Sequence, residues 1–485
     1  MKESKYNIYY HLVLLFTLIY FVLFVKLDSF HMRWWDESMF AVNDYEMIEN
    51  GNYFSRFLDG NPDLYTTKPP LSCWIQIVFI KLIGFNELAV RLPSAIAAAL
   101  TVIILFLFLS KRYNLIYAWI SAMVLLTSSG FIHFHTGRTA DSDALLTLFL
   151  LCSNIYFFKY LERKESRNIL LFFTFITLAF ATKLYSALLF TPAYLFILIR
   201  EKQLKQFLMN RNFFIGIITL IFSSVALIWL REKETPGYLH EIFYKDVGRL
   251  VNVIEKHNKP FVFYIDNLFK SRFSIWFVLL LLGFIVSFNE LKSGFKKFTG
   301  YCILLVFAYL TIISLTATKV EWYDMPLYPL LSVIAAAAIF KILNYFNTTE
   351  SLVDLRKASL LLILIFVYPY YSMFNKAQSN TIHPEEKRLE ANERFIFHKM
   401  NRSQNLDGIK VYYSVYKGSL LFYKYKLKAI NQSITIVKQN DFNISDKVLV
   451  CDDSLIGIID KRYKYTVIES FDNAKLLSIT EKLNN

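Results

Sequence analysis

Two adjacent carboxylates, Asp36 and Glu37, follow a tryptophan pair in the stretch HMRWWDESMF, just after the first long apolar run of the chain. Tryptophan prefers the lipid–water interface, whereas an ionised carboxylate requires water or a partner. A carboxylate close to low dielectric has a raised pKa, which suits a general base. The simpler alternative is that Asp36 only caps a helix that begins here. The pair therefore marks either a catalytic position or a helix start.

Lysine and arginine side chains stand at the ends of several other apolar runs. Lys68 precedes Pro69-Pro70, and proline is favoured in the first turn of a helix, where free N–H groups and the helix dipole attract phosphate. The stretch GRTADSD and two later loops supply the remaining candidates, namely Arg138, Asp141, Asp143, Arg249, His257, Lys319 and Tyr323. The structural alternatives are a snorkelling interface lysine, an ion pair within GRTADSD and an interface histidine.

Carboxylates combined with several cations at membrane level indicate a particular substrate. A helix N-terminus beside a cation favours phosphate, and a phosphate held at membrane level suggests the head group of a lipid. A sugar carried on a polyprenyl phosphate fits this description, and such a donor is used outside the cytoplasm, where nucleotide sugars are absent. We therefore predict a site that handles a lipid-linked sugar.

Membrane-spanning helices are the elements that must position these side chains. The 485 residues are 55% hydrophobic and 19% charged, whereas globular chains carry about 25% charged residues. Apolar runs of about 17–22 residues, long enough to cross a bilayer core of roughly 30 Å, recur along most of the chain. About eleven spans are predicted. They lie at residues 8–27, 91–110, 115–132, 143–160, 168–182, 184–200, 212–230, 273–288, 300–317, 326–345 and 357–374.

The basic loops predict the orientation of these spans. The net charge of +14 does not indicate a nucleic-acid partner, because the basic residues cluster in short loops between apolar runs, as cytoplasmic loops do. The external loops 29–90 and 231–272 then lie on the opposite side, and with eleven spans the tail does too. The four cysteines have neither disulfide nor metal-site spacing.

The residues after about position 376 have a different pattern. Strand-like runs such as KVYYSVY and KVLVCDD alternate with helix-like stretches. We therefore predict a transmembrane domain over residues 1–375 and a small soluble α/β domain, extracytoplasmic, over residues 376–485.

Five motifs occur in the order expected of membrane glycosyltransferases of the GT-C fold: WWDESMFA, YTTKPPLSCWI, NELAVRLPSAIAA, GRTADSDALLTLF and TKVEWYDMPLYPLL. The chain resembles in particular the protein mannosyltransferase-like family that includes the bacterial aminoarabinose transferases acting on lipid A. The resemblance covers residues 8–345, with a looser match beyond. It implies a polytopic helical fold and inverting transfer of a sugar from a polyprenyl phosphate.

The resemblance also implies roles for individual residues. Asp36 matches the catalytic aspartate of the first external loop, and Asp143 matches a second important aspartate. Lys68, Arg249 and Tyr323 match groups that hold the lipid phosphate. A polyprenyl phosphate gains negative charge as it leaves, so these groups would bind the transition state more strongly than the ground state.

Other candidates are supporting groups. Lys319 and Arg138 can add positive charge for the donor phosphate, and the remaining supporting residues are Glu37, Asp141 and His257. Thr67 and Tyr244 stand where the aminoarabinose branch has a glutamate and a histidine associated with a bound metal. No metal is therefore carried over from the resemblance, although a divalent metal stays an open alternative.

Two other functions stay open at this point. A transporter or flippase of lipid-linked glycans would also have many spans, but transporters place ionisable residues in mid-membrane and break helices with glycine. This chain has only 14 Gly in 485 residues and keeps its candidate charges at the ends of the runs. A non-catalytic membrane scaffold leaves the coincidence of Asp36, Lys68 and Asp143 unexplained.

The sequence thus predicts a multi-pass membrane enzyme with an extracytoplasmic active site, and the resemblance implies that the membrane is the inner (plasma) membrane. The acceptor is open among a lipid A-like lipid, a protein and a glycan. The nature of the acceptor decides the role of Asp36, because a hydroxyl acceptor benefits from a base whereas a phosphate acceptor needs none.

Overall fold

The computed structural model describes residues 5–133, 135–254, 257–292, 297–345, 355–379 and 384–483. Helices dominate the first 379 residues. In chain order these α-helices are α1 (Lys5–Leu23), α2 (Asp36–Asn50), α3 (Leu71–Ile83), α4 (Glu87–Arg112), α5 (Leu115–Leu126), α6 (Ser129–Ile132), α7 (Asp143–Arg163), α8 (Ser166–Lys183), α9 (Thr191–Arg200), α10 (Leu204–Leu208), α11 (Arg211–Glu234), α12 (Tyr238–Glu241), α13 (Gly248–Val251), α14 (Phe263–Asn267), α15 (Phe277–Lys292), α16 (Phe298–Leu315), α17 (Tyr328–Tyr345) and α18 (Leu355–Gln378).

Seven helical segments of the described residues are long and apolar enough to cross a membrane. They are Glu87–Arg112, Asp143–Arg163, Ser166–Leu188, Arg211–Glu234, Phe298–Leu315, Glu321–Asn344 and Leu360–Gln378. An eighth is reached if Phe263–Arg272 and Ser274–Phe288, which meet at a bend of 96°, count as one span. Four further apolar helices, among them α1 and α5, have apolar parts shorter than these spans. The predicted total of eleven spans therefore stays a prediction. The apolar helix α3 has 13 residues, too few to cross a bilayer, as its sequence predicts.

Non-α helical turns connect several of these helices. Segments with 3-10 geometry cover Leu184–Leu188, Ser274–Trp276 and Glu321–Leu327, and π-helical segments cover Ile242–Val247 and Leu268–Arg272. Such segments often mark functional positions, and three of the five adjoin residues of the candidate site described below.

The chain divides into two compact units. The first contains Met1–Val25, Leu64–Ser72 and Leu92–Ser379, and the second contains Lys26–Asp63, Cys73–Arg91 and Asn380–Asn485. The second unit therefore takes in part of the first long loop as well as the tail. The boundary near residue 376 stays a sequence prediction, since the units divide the chain by contact and not by membrane environment.

The first unit is held together by aromatic side chains between its helices. Phe157 on α7 lies with its ring centroid 5.2 Å from that of Phe172 on α8, 4.6 Å from that of Tyr194 on α9 and 6.0 Å from that of Phe207 on α10. All four side chains are buried. Packing of this kind fixes α8 along α7, and these two helices carry the central ion pair of the site.

The second unit is built on a mixed sheet. Its later elements are α19 (Pro384–Leu389), α20 (Ala391–Asn401), β3 (Ile409–Tyr412), α21 (Gly418–Lys428), β4 (Ile434–Val437), β5 (Lys447–Val450), α22 (Asp453–Arg462), β6 (Tyr463–Phe471) and β7 (Ala474–Lys482). The strand order is β4-β3-β5-β7-β6, in which β3 pairs in parallel with β4 and β5, while β7 is antiparallel to β5 and β6. Side chains alternate between the faces, so Tyr412, Val448 and Val450 pack with α22. The predicted α/β character of the tail is confirmed.

The early part of the second unit contains α2 and a small hairpin, β1 (Phe57–Leu58) and β2 (Asn61–Pro62). Asp59 and Gly60 both have positive φ, as an Asp-Gly hairpin turn requires. Helix α2 ends at Gly51, which adopts the left-handed conformation with φ 65°. Its start differs from the prediction, because Asp36 is the first helical residue and Trp35, not Asp36, occupies the cap position.

Candidate active site

An ion pair between α7 and α8 forms the centre of the candidate site. Lys183 Nζ lies 2.6 Å from Asp143 Oδ1 and 2.8 Å from Oδ2. Asp143 is the first residue of α7 and Lys183 is the last residue of α8. Both side chains are buried, so each charge depends on the other for its stabilisation.

The backbone conformation at the end of α8 fixes the position of Lys183. The next residue, Leu184, has φ 41° and ψ −130°, outside the regions that L-residues favour. Such strain costs about 1–3 kcal/mol and persists at functional positions where surrounding packing enforces it. Leu184 is buried against Tyr238 and Ile242, and this packing stops the helix at the lysine.

A cation and a phenol from two distant segments complete the cluster. Arg249 Nη1 donates a hydrogen bond to Tyr323 Oη at 2.9 Å, and Lys183 Nζ lies 5.1 Å from the centre of the Tyr323 ring. The backbone carbonyl of Arg249 accepts from the Thr318 N–H at 3.1 Å. Tyr309 Oη on α16 donates to the Tyr323 carbonyl at 3.2 Å. These hydrogen bonds fix the positions of Arg249 and Tyr323 relative to α16.

One narrow cavity has all of these groups in its wall. Asp143, Lys183, Arg249, Tyr309 and Tyr323 line it together with apolar side chains. Among the described residues that line it, two are cationic and one is anionic. The cavity can therefore accept an anionic group, which Arg249 and the Tyr323 hydroxyl can bind directly.

Two side chains, one on α11 and one on α12, hold the loop before α3 in place. Arg231, which is fully buried, donates to the Lys68 carbonyl at 2.9 Å and also to the Thr66 carbonyl. Tyr238 Oη donates to the Thr67 carbonyl at 2.6 Å. The backbone that carries Lys68 is thus anchored at three successive residues.

Asp246 connects Lys68 electrostatically to the rest of the cluster. Burial raises the pKa of Asp246, while a hydrogen bond with the Thr67 side chain and the charges of Arg249, Lys68 and Lys183 oppose this rise. The three cations are therefore close enough to act on one carboxyl. The Asp246 Oδ2 atom is buried without a hydrogen-bond partner within the described ranges.

Lys319 and His257 are joined by backbone contact. The Lys319 N–H donates to the His257 carbonyl at 3.1 Å, and Lys319 Nζ donates to the Thr316 carbonyl at 2.6 Å. Thr316 lines the cavity. Lys319 and His257 are not among the described residues in the cavity wall, so their predicted support of the donor stays a prediction.

Arg138 and Asp141 occupy a separate part of the first unit. Arg138 donates to the carbonyls of Val22 and Val25 at 2.8 and 3.0 Å, which helps to fix the end of α1. Asp141 Oδ2 lies 2.6 Å from His135 Nδ1. The predicted supporting roles of Arg138 and Asp141 stay predictions.

Asp36 and Glu37 belong to the second unit, where they have different surroundings. Glu37 accepts two hydrogen bonds from Arg91 and one from the Arg33 N–H, each 2.8 Å long. Arg91 also donates to the carbonyls of residues 27, 30 and 31. Glu37 is therefore a structural anchor of the loop, while Asp36 follows Trp35, a residue strained at φ 64°. The catalytic role of Asp36 stays a prediction.

Two members of the cluster, Lys183 and Asp246, were missed in the sequence. Lys183 had a readable signal, since it is the single residue between the predicted spans 168–182 and 184–200 and thus another cation at a span end. Asp246 had no such signal in the sequence, because a single carboxylate among several charged residues is common in an external loop.

The two positions associated with a metal in the aminoarabinose branch are hydroxyl residues here. The Thr67 side chain bonds Asp246, and Tyr244 is largely exposed. Neutral hydroxyls are poor ligands for the transition metals that carboxylate and imidazole hold. These residues do not fit a metal.

Comparison with known proteins links this geometry to a family. The family model of dolichyl-phosphate-mannose-protein mannosyltransferases matches residues 67–229. An undecaprenyl phosphate-alpha-4-amino-4-deoxy-L-arabinose arabinosyl transferase of Pectobacterium atrosepticum is 26% identical over 340 residues, which are 68% of this chain and 58% of that protein. An uncharacterized protein of Aquifex aeolicus is 23% identical over 62% of this chain and 58% of its own length. The match therefore spans less than two thirds of these relatives.

Solved structures show the same fold at low identity. ArnT from Cupriavidus metallidurans bound to undecaprenyl phosphate aligns with a TM-score of 0.71 at 14% identity, over 96% of this chain and 97% of that one. The oligosaccharyltransferase of Archaeoglobus fulgidus aligns with a TM-score of 0.56 at 12% identity, over 96% of this chain and 70% of that one. A GT-C membrane fold with a C-terminal sheet domain is thereby confirmed. The predicted resemblance to the mannosyltransferase and aminoarabinose transferase family is confirmed as well.

Proposed function

We propose that this chain, a multi-pass GT-C membrane protein, is an inverting glycosyltransferase that takes a sugar from a polyprenyl phosphate. The observation that carries the proposal is the cavity in which Lys183, Arg249 and Tyr323 converge beside Asp143. The arabinosyl transferase relatives, named for an undecaprenyl phosphate sugar, support the same class of donor. The active side is extracytoplasmic in this proposal, in accordance with the predicted charge of the loops.

In the proposed reaction, an acceptor oxygen attacks the anomeric carbon from the side opposite the phosphate. The bond from that carbon to the phosphate oxygen breaks, and the polyprenyl phosphate leaves with its charge increased from −1 to −2. Arg249, Lys68 and the Tyr323 hydroxyl bind the leaving oxygens. Because the charge develops only during the reaction, these groups stabilise the transition state more than the bound donor.

Asp143 acts in this proposal as a positioning residue for Lys183. Both of its carboxylate oxygens accept from the lysine ammonium, so the carboxylate orients a cation instead of removing a proton. The ammonium in turn lies against the face of Tyr323, which favours one orientation of the phenol.

Asp36 is the proposed general base when the acceptor is a hydroxyl. It would remove the acceptor proton as the new bond to the anomeric carbon forms. A phosphate acceptor is already ionised and needs no base. The acceptor is an envelope lipid, protein or glycan, and its identity decides whether Asp36 is essential.

The test uses full-length protein purified in detergent, a radiolabelled polyprenyl-phosphate sugar and a total envelope extract. Transfer is compared in wild type, Arg249→Gln and Lys68→Ala. The matched control is Lys464→Met, which removes an exposed lysine paired with Glu481 on the sheet. We expect the label to move into one extract fraction in wild type and the control only, and that fraction names the acceptor.

A transporter gives a different result. Transport has no meaning in detergent, so a flippase leaves all label on the polyprenyl phosphate. The proposal fails if no label moves from any of the lipid-linked sugars offered, or if both variants transfer as fast as wild type.

A further inference from the structure

A second cleft lies at the carboxyl ends of two strands in the second unit. The chain passes from β3 to its neighbour β4 and then returns to the other side of β3 to form β5. The strand order therefore reverses between β3 and β5. In open sheets with parallel strands, ligands bind outside the carboxyl ends at such a reversal. Ser414 follows β3, Asp452 follows β5, and both line the cleft.

Asn392 and Glu393 line this cleft, and each has a buried side-chain oxygen without a hydrogen-bond partner within the described ranges. Glu393 Oε2 and Asn392 Oδ1 have no hydrogen-bond partner among the described residues, and each side chain is only 2% exposed. Glu393 Oε1 accepts a bond from the Ser419 hydroxyl at 2.6 Å, which fixes the direction of the carboxyl. Leaving a buried acceptor unpaired is costly, so these atoms are suited to a ligand that brings hydrogen-bond donors.

A second carboxylate makes the cleft unsuitable for anions. Asp452 Oδ2 accepts from Ser414 Oγ at 2.9 Å, and Oδ1 accepts from the Ser454 N–H at 2.9 Å. The Arg388 guanidinium stands 3.9 Å from Asp452 and is more than half exposed, so solvent screens it. Burial raises the pKa of Glu393 to about 7, and the group can therefore accept or donate near neutral pH. Neutral donors fit this wall better than a phosphate or a carboxylate.

Aromatic side chains form the rest of the lining. The rings of Trp34 and Tyr416 meet edge to face at 5.6 Å, and both residues line the cleft with Tyr413. Trp35 stacks on the outer side of Tyr416 with centroids 4.7 Å apart. Flat apolar faces beside hydrogen-bond acceptors match a ring that has C–H groups on its faces and hydroxyl groups at its edge.

The size of the cleft limits how deeply such a ring can enter. The enclosed space is about 30 Å³, room for about two water molecules. Two neighbouring hydroxyl groups would fill this space beside Glu393 and Asn392, with the ring at the aromatic rim. We propose that this cleft binds the hydroxyl-bearing edge of a neutral saccharide. The proposal does not depend on the transfer reaction, although an envelope glycan acceptor would supply such a group.

The test measures direct binding of small neutral glycosides. Full-length protein is purified in a detergent that contains no sugar, and saturation-transfer NMR is recorded with methyl glucoside, methyl mannoside and methyl N-acetylglucosaminide up to about 10 mM, where even a weak site is partly occupied. We expect transfer to the ring protons of at least one glycoside. Asn392→Ala and Trp34→Leu should each weaken that binding about tenfold, through one lost hydrogen bond and one lost stacking contact.

Matched variants separate binding from folding. Asp441→Asn, which changes an exposed carboxylate paired with Lys482, should bind close to wild type. Arg249→Gln, which should abolish sugar transfer, should bind glycosides as wild type does. A failure of the transferase proposal is thus distinguishable from a failure of this one.

Three results would overturn the proposal. The first is the absence of saturation transfer with every glycoside in a wild-type protein whose thermal unfolding is normal. The second is equal binding by wild type, Asn392→Ala and Trp34→Leu. The third is binding of a simple amine such as ethanolamine without binding of any neutral glycoside, which would assign the unpaired oxygens to a cation.

Discussion

The cavity of the first unit and the cleft of the second unit are built for opposite kinds of ligand. In the cavity, Lys183 and Arg249 outnumber the single carboxylate of Asp143 among the lining residues that the structure describes. In the cleft, two carboxylates face an exposed arginine, and two buried oxygens have no partner within the described ranges. The first arrangement suits an anion whose charge increases, and the second suits neutral hydrogen-bond donors.

The cavity and the cleft also stabilise a buried carboxyl group in different ways. Asp143 is held by both of its oxygens against a lysine ammonium, so its charge is balanced by a partner. Glu393 accepts a hydrogen bond from the neutral Ser419 hydroxyl, and burial raises its pKa to about 7. The comparison teaches that a buried acid can be stabilised by an opposite charge or by keeping its proton. The following predictions test that distinction.

The largest effect is expected at the charge-balanced pair. Lys183→Met leaves Asp143 buried without its cation, which should destabilise the protein by about 3–5 kcal/mol and lower transfer about 100-fold or more. The double variant Asp143→Asn/Lys183→Met removes both charges and should recover most of the stability but none of the activity. Thermal unfolding and the transfer assay measure the two quantities. A double variant as unstable as the single one would refute the charge-balance argument.

A buried ion pair with a purely structural role should behave differently. Arg91→Met removes the partner of Glu37 together with bonds to three backbone carbonyls, and we expect a loss of about 3–5 kcal/mol. Here Glu37→Gln/Arg91→Met should recover little, because the carbonyls stay without a donor. Thermal unfolding of both variants decides this. Full recovery in the double variant would show that charge balance alone matters at this pair.

Glu393, the buried acid that retains its proton, should make the stability of the protein depend on pH. Folded Glu393 keeps its proton up to about pH 7, whereas the unfolded side chain loses it near its ordinary pKa of 4.5. Between these values the unfolded state binds fewer protons, so wild-type stability falls as pH rises. Glu393→Gln should remove this decline, which amounts to up to about 3 kcal/mol, while the neighbouring charges Glu390 and Arg394 are unchanged.

Thermal unfolding at a series of pH values from 4.5 to 8 measures this difference. The comparison is between wild type and Glu393→Gln at each pH, with Asp441→Asn as the control for an exposed carboxylate. Parallel curves for wild type and Glu393→Gln would contradict the assignment of a retained proton.

The smallest effect is expected at the phenol of the first cavity. Tyr323→Phe removes the acceptor of the Arg249 hydrogen bond and one donor to the proposed leaving group, and kcat/KM should fall about tenfold. A double-mutant cycle with Arg249→Lys, which keeps the positive charge, should show non-additive losses because the two side chains are in contact. Strictly additive losses in the transfer assay would mean that the two groups act independently.

Part of the site could be predicted because charge at the end of an apolar run is visible in the chain itself. Asp143 was predicted in this way, Arg249 and Tyr323 were predicted as a cation and a phenol on later external loops, and all three line one cavity. Lys183 fits the same rule but was missed, since the predicted spans on either side of it left a single residue between them. The resemblance to known glycosyltransferases supplied the roles, which the residue types alone left open.

The sequence by itself determined the membrane character and the α/β character of the tail, because both depend on local composition and residue pattern. Only the tertiary structure decided which charges meet. Lys183 reaches Asp143 across 40 residues and Arg249 reaches Tyr323 across 74. The unpartnered oxygens of Asn392 and Glu393 were equally invisible, since burial without a partner is a property of packing and not of residue type.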